Sequence, residues 1–150
     1  MIYLDNAATT HISPSVLDAM MPFLSHNFGN PGAIYKLGRY AAHAVEVARK
    51  QVAAFINAEP EQIIFTSGGS ESNALVFKGL EQYLSDSDKK DILVSVIEHD
   101  SVIKSAMQTS DILRSKFVIA GPKAISSLDM RSVGLISVMY SNNETGEVTN

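Results

Sequence analysis

The 150-residue sequence contains no cysteine and no tryptophan. Without cysteine, this chain has no disulfide, no thiolate metal site and no cysteine nucleophile. It also lacks an apolar run long enough to span a bilayer and the basic and apolar segments that begin a secretory signal. We therefore predict a cytoplasmic protein.

An excess of positive charge is absent as well. The chain has 12 lysine and arginine residues against 16 aspartate and glutamate residues, a formal net charge of −4. We expect neither nucleic acid nor a membrane as a partner, because both attract basic surfaces. A hydrophobic content of 45% and a charged content of 19% indicate a folded globular chain. The length suits one domain, and we predict a single domain over residues 1–150.

Helical and strand patterns alternate along the chain. Apolar residues at helical spacing predict helices that begin at Ser13-Pro14, span residues 36–57, follow residues 67–73 and cover roughly residues 101–107. Short apolar runs predict strands at residues 2–4, 63–66, 92–96, 117–119 and 133–139. This alternation predicts an α/β fold, a partial doubly wound and mainly parallel sheet with flanking helices.

Residues 67–73, Ser-Gly-Gly-Ser-Glu-Ser-Asn, separate a predicted strand from a predicted helix. The start of a helix has unpaired backbone N–H groups and a partial positive charge, so it attracts anions. Gly68 and Gly69 allow close approach to the backbone, and Ser70 adds a hydroxyl. A phosphate would suit this turn. The alternative is an ordinary turn in which Ser70 caps the helix.

Three polar clusters each follow a predicted strand: residues 67–73, Glu98-His99 and residues 142–146. In a parallel sheet, ligands bind beyond the carboxyl ends of the strands. We therefore expect the three clusters to open onto one edge and to form a binding site there.

The same segments carry a resemblance to a known family. They are Asp5-Asn6-Ala7-Ala8-Thr9-Thr10, Gly29-Asn30-Pro31, residues 67–73, Glu98-His99 and Asn142-Asn143-Glu144-Thr145-Gly146. In this order they resemble the N-terminal part of the cysteine desulfurases, class V aminotransferases that depend on pyridoxal phosphate. The resemblance implies the large domain of the fold-type I pyridoxal-phosphate enzymes, with the small domain absent.

The resemblance also implies roles for single residues. Gly69 and Ser70 resemble the residues that hold the cofactor phosphate, and Asn143 resembles the asparagine that binds its phenolic oxygen. His99 resembles the histidine that stacks on the pyridine ring and shuttles protons, a suitable task for an imidazole. Two structural alternatives stay open. His99 could cap the following helix, and a turn asparagine would explain Asn143, although Asn142 suits that role better.

Other polar residues give no further site. His11, His26 and His43 have no metal-ligand spacing, so we expect no metal. Glu71 could be a base, but an acid in the first turn of a helix is normally a partner of the helix dipole.

The resemblance implies conversion of L-cysteine to L-alanine with sulfur transfer, as in iron–sulfur cluster assembly; a selenocysteine substrate is an alternative. The family's Schiff-base lysine and acceptor cysteine have no counterpart here, and Lys104 matches no such motif. We therefore expect an N-terminal fragment that is inactive alone. The alternative is a non-catalytic truncated or split-gene product that binds phosphate or the cofactor weakly, or assembles with a second chain.

The partners follow from the same resemblance. We expect a homodimer or a complementing C-terminal polypeptide, because helices that pack on later strands would otherwise expose apolar surface. The isolated chain should then be unstable, oligomeric or dependent on that second polypeptide.

Overall fold

The computed structural model describes residues 2–149. The chain divides into two compact units, one ending at Phe65 and the other beginning at Thr66. Among the described residues, no helix is long and apolar enough to cross a membrane. The single-domain organisation stays a prediction.

The first unit is helical. Helix α1 spans Pro14–Ser25, helix α2 spans Lys36–Ile56, and a 3-10 turn covers Pro60–Gln62. Ser13 has extended backbone angles before Pro14 occupies the first helical position, as the sequence predicts. Helix α2 ends where Asn57 turns left-handed, with φ of 54°. Both predicted helices are therefore confirmed.

The predicted strands at residues 2–4 and 63–66 are wrong. Neither segment takes part in a strand ladder among residues 2–149. A strand needs a partner for its backbone N–H and C=O groups, and local apolar character does not supply one. Arg49 instead donates a hydrogen bond to the Ile63 carbonyl, and its guanidinium lies 5.1 Å from the centre of the Phe65 ring.

The second unit alternates helices and strands. It contains α3 (Gly69–Asp86), β1 (Asp91–Ser95), α4 (Asp100–Leu113), β2 (Phe117–Ala120), α5 (Pro122–Ile125) and β3 (Val133–Ser137). The sheet has the order β2-β1-β3, and β1 pairs in parallel with both neighbours. Ile92 lies opposite Phe117 on one side and Leu135 on the other. The predicted α/β class with a parallel sheet is confirmed.

The core of this unit lies between β1 and the helices α3 and α4. Ile92, Leu93 and Val94 are at most 1% exposed, because β1 is central and covered on both faces. Helix α3 contributes Phe77 and Leu84, and α4 contributes Val102 and Ala106, to the same buried cluster. Full burial of one large apolar side chain stabilises a fold by about 1.5–3 kcal/mol. This cluster therefore fixes α3 and α4 on the sheet.

Asp91 joins the three strands at their amino ends. Its carboxylate accepts a hydrogen bond of 2.6 Å from the Ser132 hydroxyl, just before β3, and one of 2.9 Å from the Lys116 backbone N–H, just before β2. The Ser132 hydroxyl bond is the main reason that the pKa of Asp91 is lowered. Asp91 thus holds the amino edge together, opposite the edge that carries the candidate site.

Candidate functional site

A cavity of about 500 Å³ lies beyond the carboxyl ends of β1 and β3. It is lined by the residues that follow these two strands: Val96, Ile97, Glu98, His99, Asp100, Met139, Asn142, Asn143, Glu144 and Thr145. The structure therefore brings His99 and Asn143 to one cavity, although 44 positions separate them in the sequence. The parallel pairing of β1 and β3 is the reason, since it places both carboxyl ends at one edge.

His99 stands at the start of α4. Its backbone is extended, with φ of −65° and ψ of 146°, and its side chain caps the helix. Nδ1 accepts a hydrogen bond of 3.1 Å from the Ser101 backbone N–H and lies 2.8 Å from the Ser101 hydroxyl oxygen. The alternative that His99 caps the following helix is thus correct. It also fixes the ring at the cavity, so capping and a role in the site are compatible.

Asn142 organises the loop that carries Asn143. Its amide oxygen accepts hydrogen bonds from the backbone N–H groups of Glu144, at 2.9 Å, and Thr145, at 2.8 Å. Its amide nitrogen donates a hydrogen bond of 3.0 Å to the carbonyl oxygen of Ile97, which follows β1. The side chain of Asn143 forms no hydrogen bond with residues 2–149 and is exposed. Asn142 is therefore the turn asparagine, and the amide of Asn143 is available to a ligand.

A short hairpin holds this loop at its base. Ser141 and Val148 form an antiparallel bridge, and Gly146 closes the turn with φ of 73°. Glycine suits that left-handed position because it has no Cβ. Neither the bridge nor the turn type was part of the sequence prediction.

The glycine turn forms the start of α3. The first helical hydrogen bond runs from the Ser72 N–H to the Gly68 carbonyl, so the N–H groups of Gly69, Ser70 and Glu71 lie before the helical ladder. Among the residues that the structure describes, no side chain caps this end. The end of the helix is therefore open to an anion.

The space above the two glycines is also open. A Cβ added at Gly68 or Gly69 would meet no atom of residues 2–149 within 4 Å. The φ of Gly68 is 162°, an extended angle that any residue adopts. By contrast, a Cβ at Gly134 would overlap the Lys89 carbonyl. Packing and backbone conformation thus leave Gly68 and Gly69 unexplained, and the close approach of a ligand such as phosphate would explain them.

Glu71 is occupied within the turn. One of its carboxylate oxygens accepts 2.6 Å hydrogen bonds from both the hydroxyl and the backbone N–H of Ser67. These bonds, with the hydroxyl first, lower the pKa of Glu71. A lowered pKa favours the anion that partners a helix start and disfavours proton uptake. The geometry supports the dipole-partner interpretation over a base.

The glycine turn and the cavity belong to the same unit, but only two of the three predicted clusters line the cavity, and Gly69 and Ser70 do not. The side-chain amide of Asn73, in the second turn of α3, donates a 2.8 Å hydrogen bond to the Ser101 hydroxyl. Ser101 in turn contacts His99. One chain of hydrogen bonds therefore connects the start of α3 with the imidazole.

The charges of the cavity are mainly negative. Glu98 accepts a 3.2 Å hydrogen bond from the buried Ser95 hydroxyl, and Asp100 pairs with Lys104 at 2.9 Å. The Lys104 ammonium lowers the pKa of Asp100. These carboxylates would repel a phosphate placed in the cavity. Residues 2–149 contain no cluster of histidine and carboxylate groups that could hold a metal.

The sequence analysis did not predict the contact between Asn73, the last residue of the predicted cluster at residues 67–73, and Ser101. The 28 positions between them hide their contact. A local signal did exist for Ser101, because it stands two positions after a histidine at a helix start, where a capping side chain finds a backbone N–H. Asn73 lies in the predicted polar cluster at residues 67–73, but no local pattern indicates that its side chain reaches Ser101.

Comparison with known proteins now identifies the class. The family model of the class-V aminotransferases matches residues 2–150, and the chain belongs to this family. Within it, the chain is 36% identical to the cysteine desulfurase IscS of Methanosarcina thermophila over 155 residues. It is 38% identical to the cysteine desulfurase IscS of Methylobacillus flagellatus, also over 155 residues. Both alignments cover 98% of this chain and 38% of the relative. The chain thus corresponds to an N-terminal part of these relatives.

Three solved structures likewise match nearly all of this chain and less than half of their own chains. A NifS-like protein superposes with a TM-score of 0.85 at 28% identity, covering 98% of this chain and 42% of that protein. The structure of SspA in complex with cysteine gives a TM-score of 0.82 at 30% identity, with coverages of 97% and 44%. DndA of Streptomyces lividans gives 0.77 at 32% identity, with coverages of 98% and 43%.

Proposed function

We propose that this chain supplies the cofactor-binding part of a pyridoxal-phosphate-dependent cysteine desulfurase, which converts L-cysteine to L-alanine and transfers the sulfur. The observation that carries the proposal is the shared cavity of His99 and Asn143, linked by hydrogen bonds to an open glycine turn. The similarity to proteins named cysteine desulfurase, and to SspA in complex with cysteine, supports this substrate.

Each residue of the site would hold a different part of the cofactor. The free N–H groups of Gly69 and Ser70 and the Ser70 hydroxyl would bind the phosphate. The exposed amide of Asn143 would donate to the phenolic oxygen. The His99 ring, held by its cap to α4, would lie against the pyridine ring. When bound, pyridoxal phosphate supplies an electron sink for chemistry at the substrate's α-carbon.

Catalysis requires groups that we assign to residues outside this sequence. Lys104 does not line the cavity, and its ammonium is paired with Asp100. The sequence has no cysteine to accept sulfur. We therefore propose that this chain alone binds the cofactor without a covalent bond and does not turn over cysteine. A homodimer or a complementing C-terminal polypeptide would complete the enzyme, and the cytoplasmic location stays a prediction.

A second candidate is a non-catalytic product that binds the cofactor weakly or assembles with another chain. The apolar surface of the first unit favours this candidate. Helix α1 has no buried residue, and the groove between α1 and α2 is lined by half-exposed apolar side chains such as Val16, Met20 and Phe23. Such surfaces normally mark an interface.

Phosphorus NMR tests cofactor binding. The resonance of pyridoxal phosphate should shift and broaden on titration with the chain. Ser70→Ala should weaken binding about fivefold, since one hydrogen bond contributes about 1 kcal/mol. Ser85→Ala, in the last turn of the same helix, is the matched control and should leave binding unchanged. Equal affinities for the two variants would contradict the proposed phosphate site.

A turnover assay separates the two candidates. L-cysteine and pyridoxal phosphate are added to the chain, alone and with the remaining part of a class-V relative such as the Methanosarcina thermophila desulfurase, and alanine is measured. The desulfurase proposal expects alanine only in the mixture. Cofactor binding without alanine in either sample favours the non-catalytic candidate.

A further inference from the structure

We infer that Ser101 and Asn73 are positioning residues that hold the neutral His99 ring with its proton on Nε2. The inference deepens the proposed function. Any effect of this proton position on the reaction rests on that function. The inference itself concerns the protonation of one side chain, however, and is testable without cofactor.

The backbone of Ser101 fixes the role of Nδ1. An amide N–H is always a donor, and that of Ser101 lies 3.1 Å from Nδ1. A proton on Nδ1 would therefore oppose another proton. Nδ1 must be the acceptor, and the neutral ring then carries its proton on Nε2.

The side chains of Ser101 and Asn73 strengthen this arrangement. The Asn73 amide donates a hydrogen bond of 2.8 Å to the Ser101 hydroxyl oxygen. The hydroxyl proton of Ser101 is therefore free to point at Nδ1 of His99, which lies 2.8 Å from the same oxygen. Nδ1 thus receives two hydrogen bonds from one residue. Asn73 and Ser101 are both partly buried, which restricts competition from water.

The hydrogen bonds at Nδ1 determine how His99 can contact a bound group. Nε2 has no hydrogen-bond partner among residues 2–149, and in the neutral ring it is a donor. His99 would therefore meet a bound group through an N–H. The geometry thus makes the neutral His99 ring an acceptor at Nδ1 and a donor at Nε2.

Nitrogen-15 NMR of the chain without cofactor tests the inference. In the wild type, Nδ1 of His99 should resonate in the unprotonated range and Nε2 in the protonated range. The preference for a proton on Nε2 over Nδ1, here called the bias, should be greater for His99 than for His11. The His11 ring forms no hydrogen bond with residues 2–149 and serves as the internal reference. A bias equal to that of His11, or a proton on Nδ1, would overturn the inference.

Variants assign the effect to its residues. Ser101→Ala removes one of the two bonds and should move the Nδ1 resonance toward the protonated range. Asn73→Asp should act in the same direction, because a carboxylate would accept the Ser101 proton and turn it away from Nδ1. Ser105→Ala, one turn further along α4, should leave both resonances unchanged. No shift in Ser101→Ala and Asn73→Asp would show that the backbone alone sets the proton position and would remove these side chains from the proposal.

The outcome is separable from the proposed function. A chain that fails to bind pyridoxal phosphate can still show the His99 bias, which would leave the inference intact and contradict the function. A chain that binds the cofactor but lacks the bias would support the proposed function and contradict the inference.

Discussion

The side-chain nitrogen of Asn73 lies 2.8 Å from the hydroxyl oxygen of Ser101, 28 positions further along the chain. This hydrogen bond joins the early turns of α3 and α4, the two helices whose starts carry the glycine turn and His99. Both helices are also fixed by the apolar cluster beneath them. The relative placement of the phosphate-binding candidate and the imidazole therefore depends on ordered parts of one unit.

Asn142 and Asn143 should respond in opposite ways to alanine. Asn142→Ala removes the acceptor for two backbone N–H groups, so the loop at residues 142–146 should open, at a cost of about 1–3 kcal/mol. Asn143→Ala should leave the loop intact and weaken pyridoxal phosphate binding. Hydrogen exchange of the Thr145 amide and cofactor titration measure the two effects. Loop opening in Asn143→Ala would contradict the assignment.

Gly69→Ala should separate ligand binding from stability. The added methyl group enters open space at the first residue of α3, so the variant should be at least as stable as the wild type. The same methyl group would block the approach of a phosphate and weaken binding. Gly79→Ala, also open and within α3, is the matched control. It should stabilise the helix without changing affinity for pyridoxal phosphate, and an equal loss of affinity in both variants would exclude the proposed contact.

Asp91→Asn should loosen the amino edge of the sheet. A neutral amide is a weaker acceptor for the Ser132 hydroxyl and the Lys116 N–H, so exchange of the Lys116 amide should accelerate about fivefold, equivalent to about 1 kcal/mol. Asp129→Asn is the control, because Asp129 pairs with Arg131 on the exposed surface. Its effect on exchange in the sheet should be negligible.

The effect of Asp91 should depend on pH. Folding lowers the pKa of Asp91, so the carboxylate stabilises the folded state fully above its unfolded pKa of about 3.9. This stabilisation is lost as the pH falls through the lower folded value. The difference between wild type and Asp91→Asn should therefore be constant at neutral pH and shrink in acid. A difference that grows in acid would have the wrong sign.

The isolated chain should self-associate through exposed apolar side chains. Phe55, in α2, is 90% exposed, and burial of such a side chain contributes about 1.5–3 kcal/mol. Phe55→Glu should weaken association about tenfold or more, as measured by sedimentation equilibrium. Lys50→Glu, on the same helix, changes charge without removing apolar surface and is the control. A wild-type chain that is monomeric and unfolds cooperatively would contradict this prediction.

The helices and the motif order could be predicted from the sequence because their signals are local. Pro14 at a helix start, the apolar stripe of α2 and the glycines before α3 each act over a few neighbouring residues. The buried strand β1 was equally clear, since a central parallel strand is apolar on both faces. His99 and Asn143 were identified through the family resemblance, and their roles stay proposals.

The sequence by itself determined the α/β class, the helix starts and the family. Only the tertiary structure decided that residues 63–66 form no strand ladder, that Asn142 builds the loop while Asn143 stays exposed, and that Asn73 reaches Ser101. The physical reason is the range of the interactions. Helix starts and apolar periodicity depend on adjacent residues, whereas strand pairing and side-chain hydrogen bonds depend on which distant segments packing brings together.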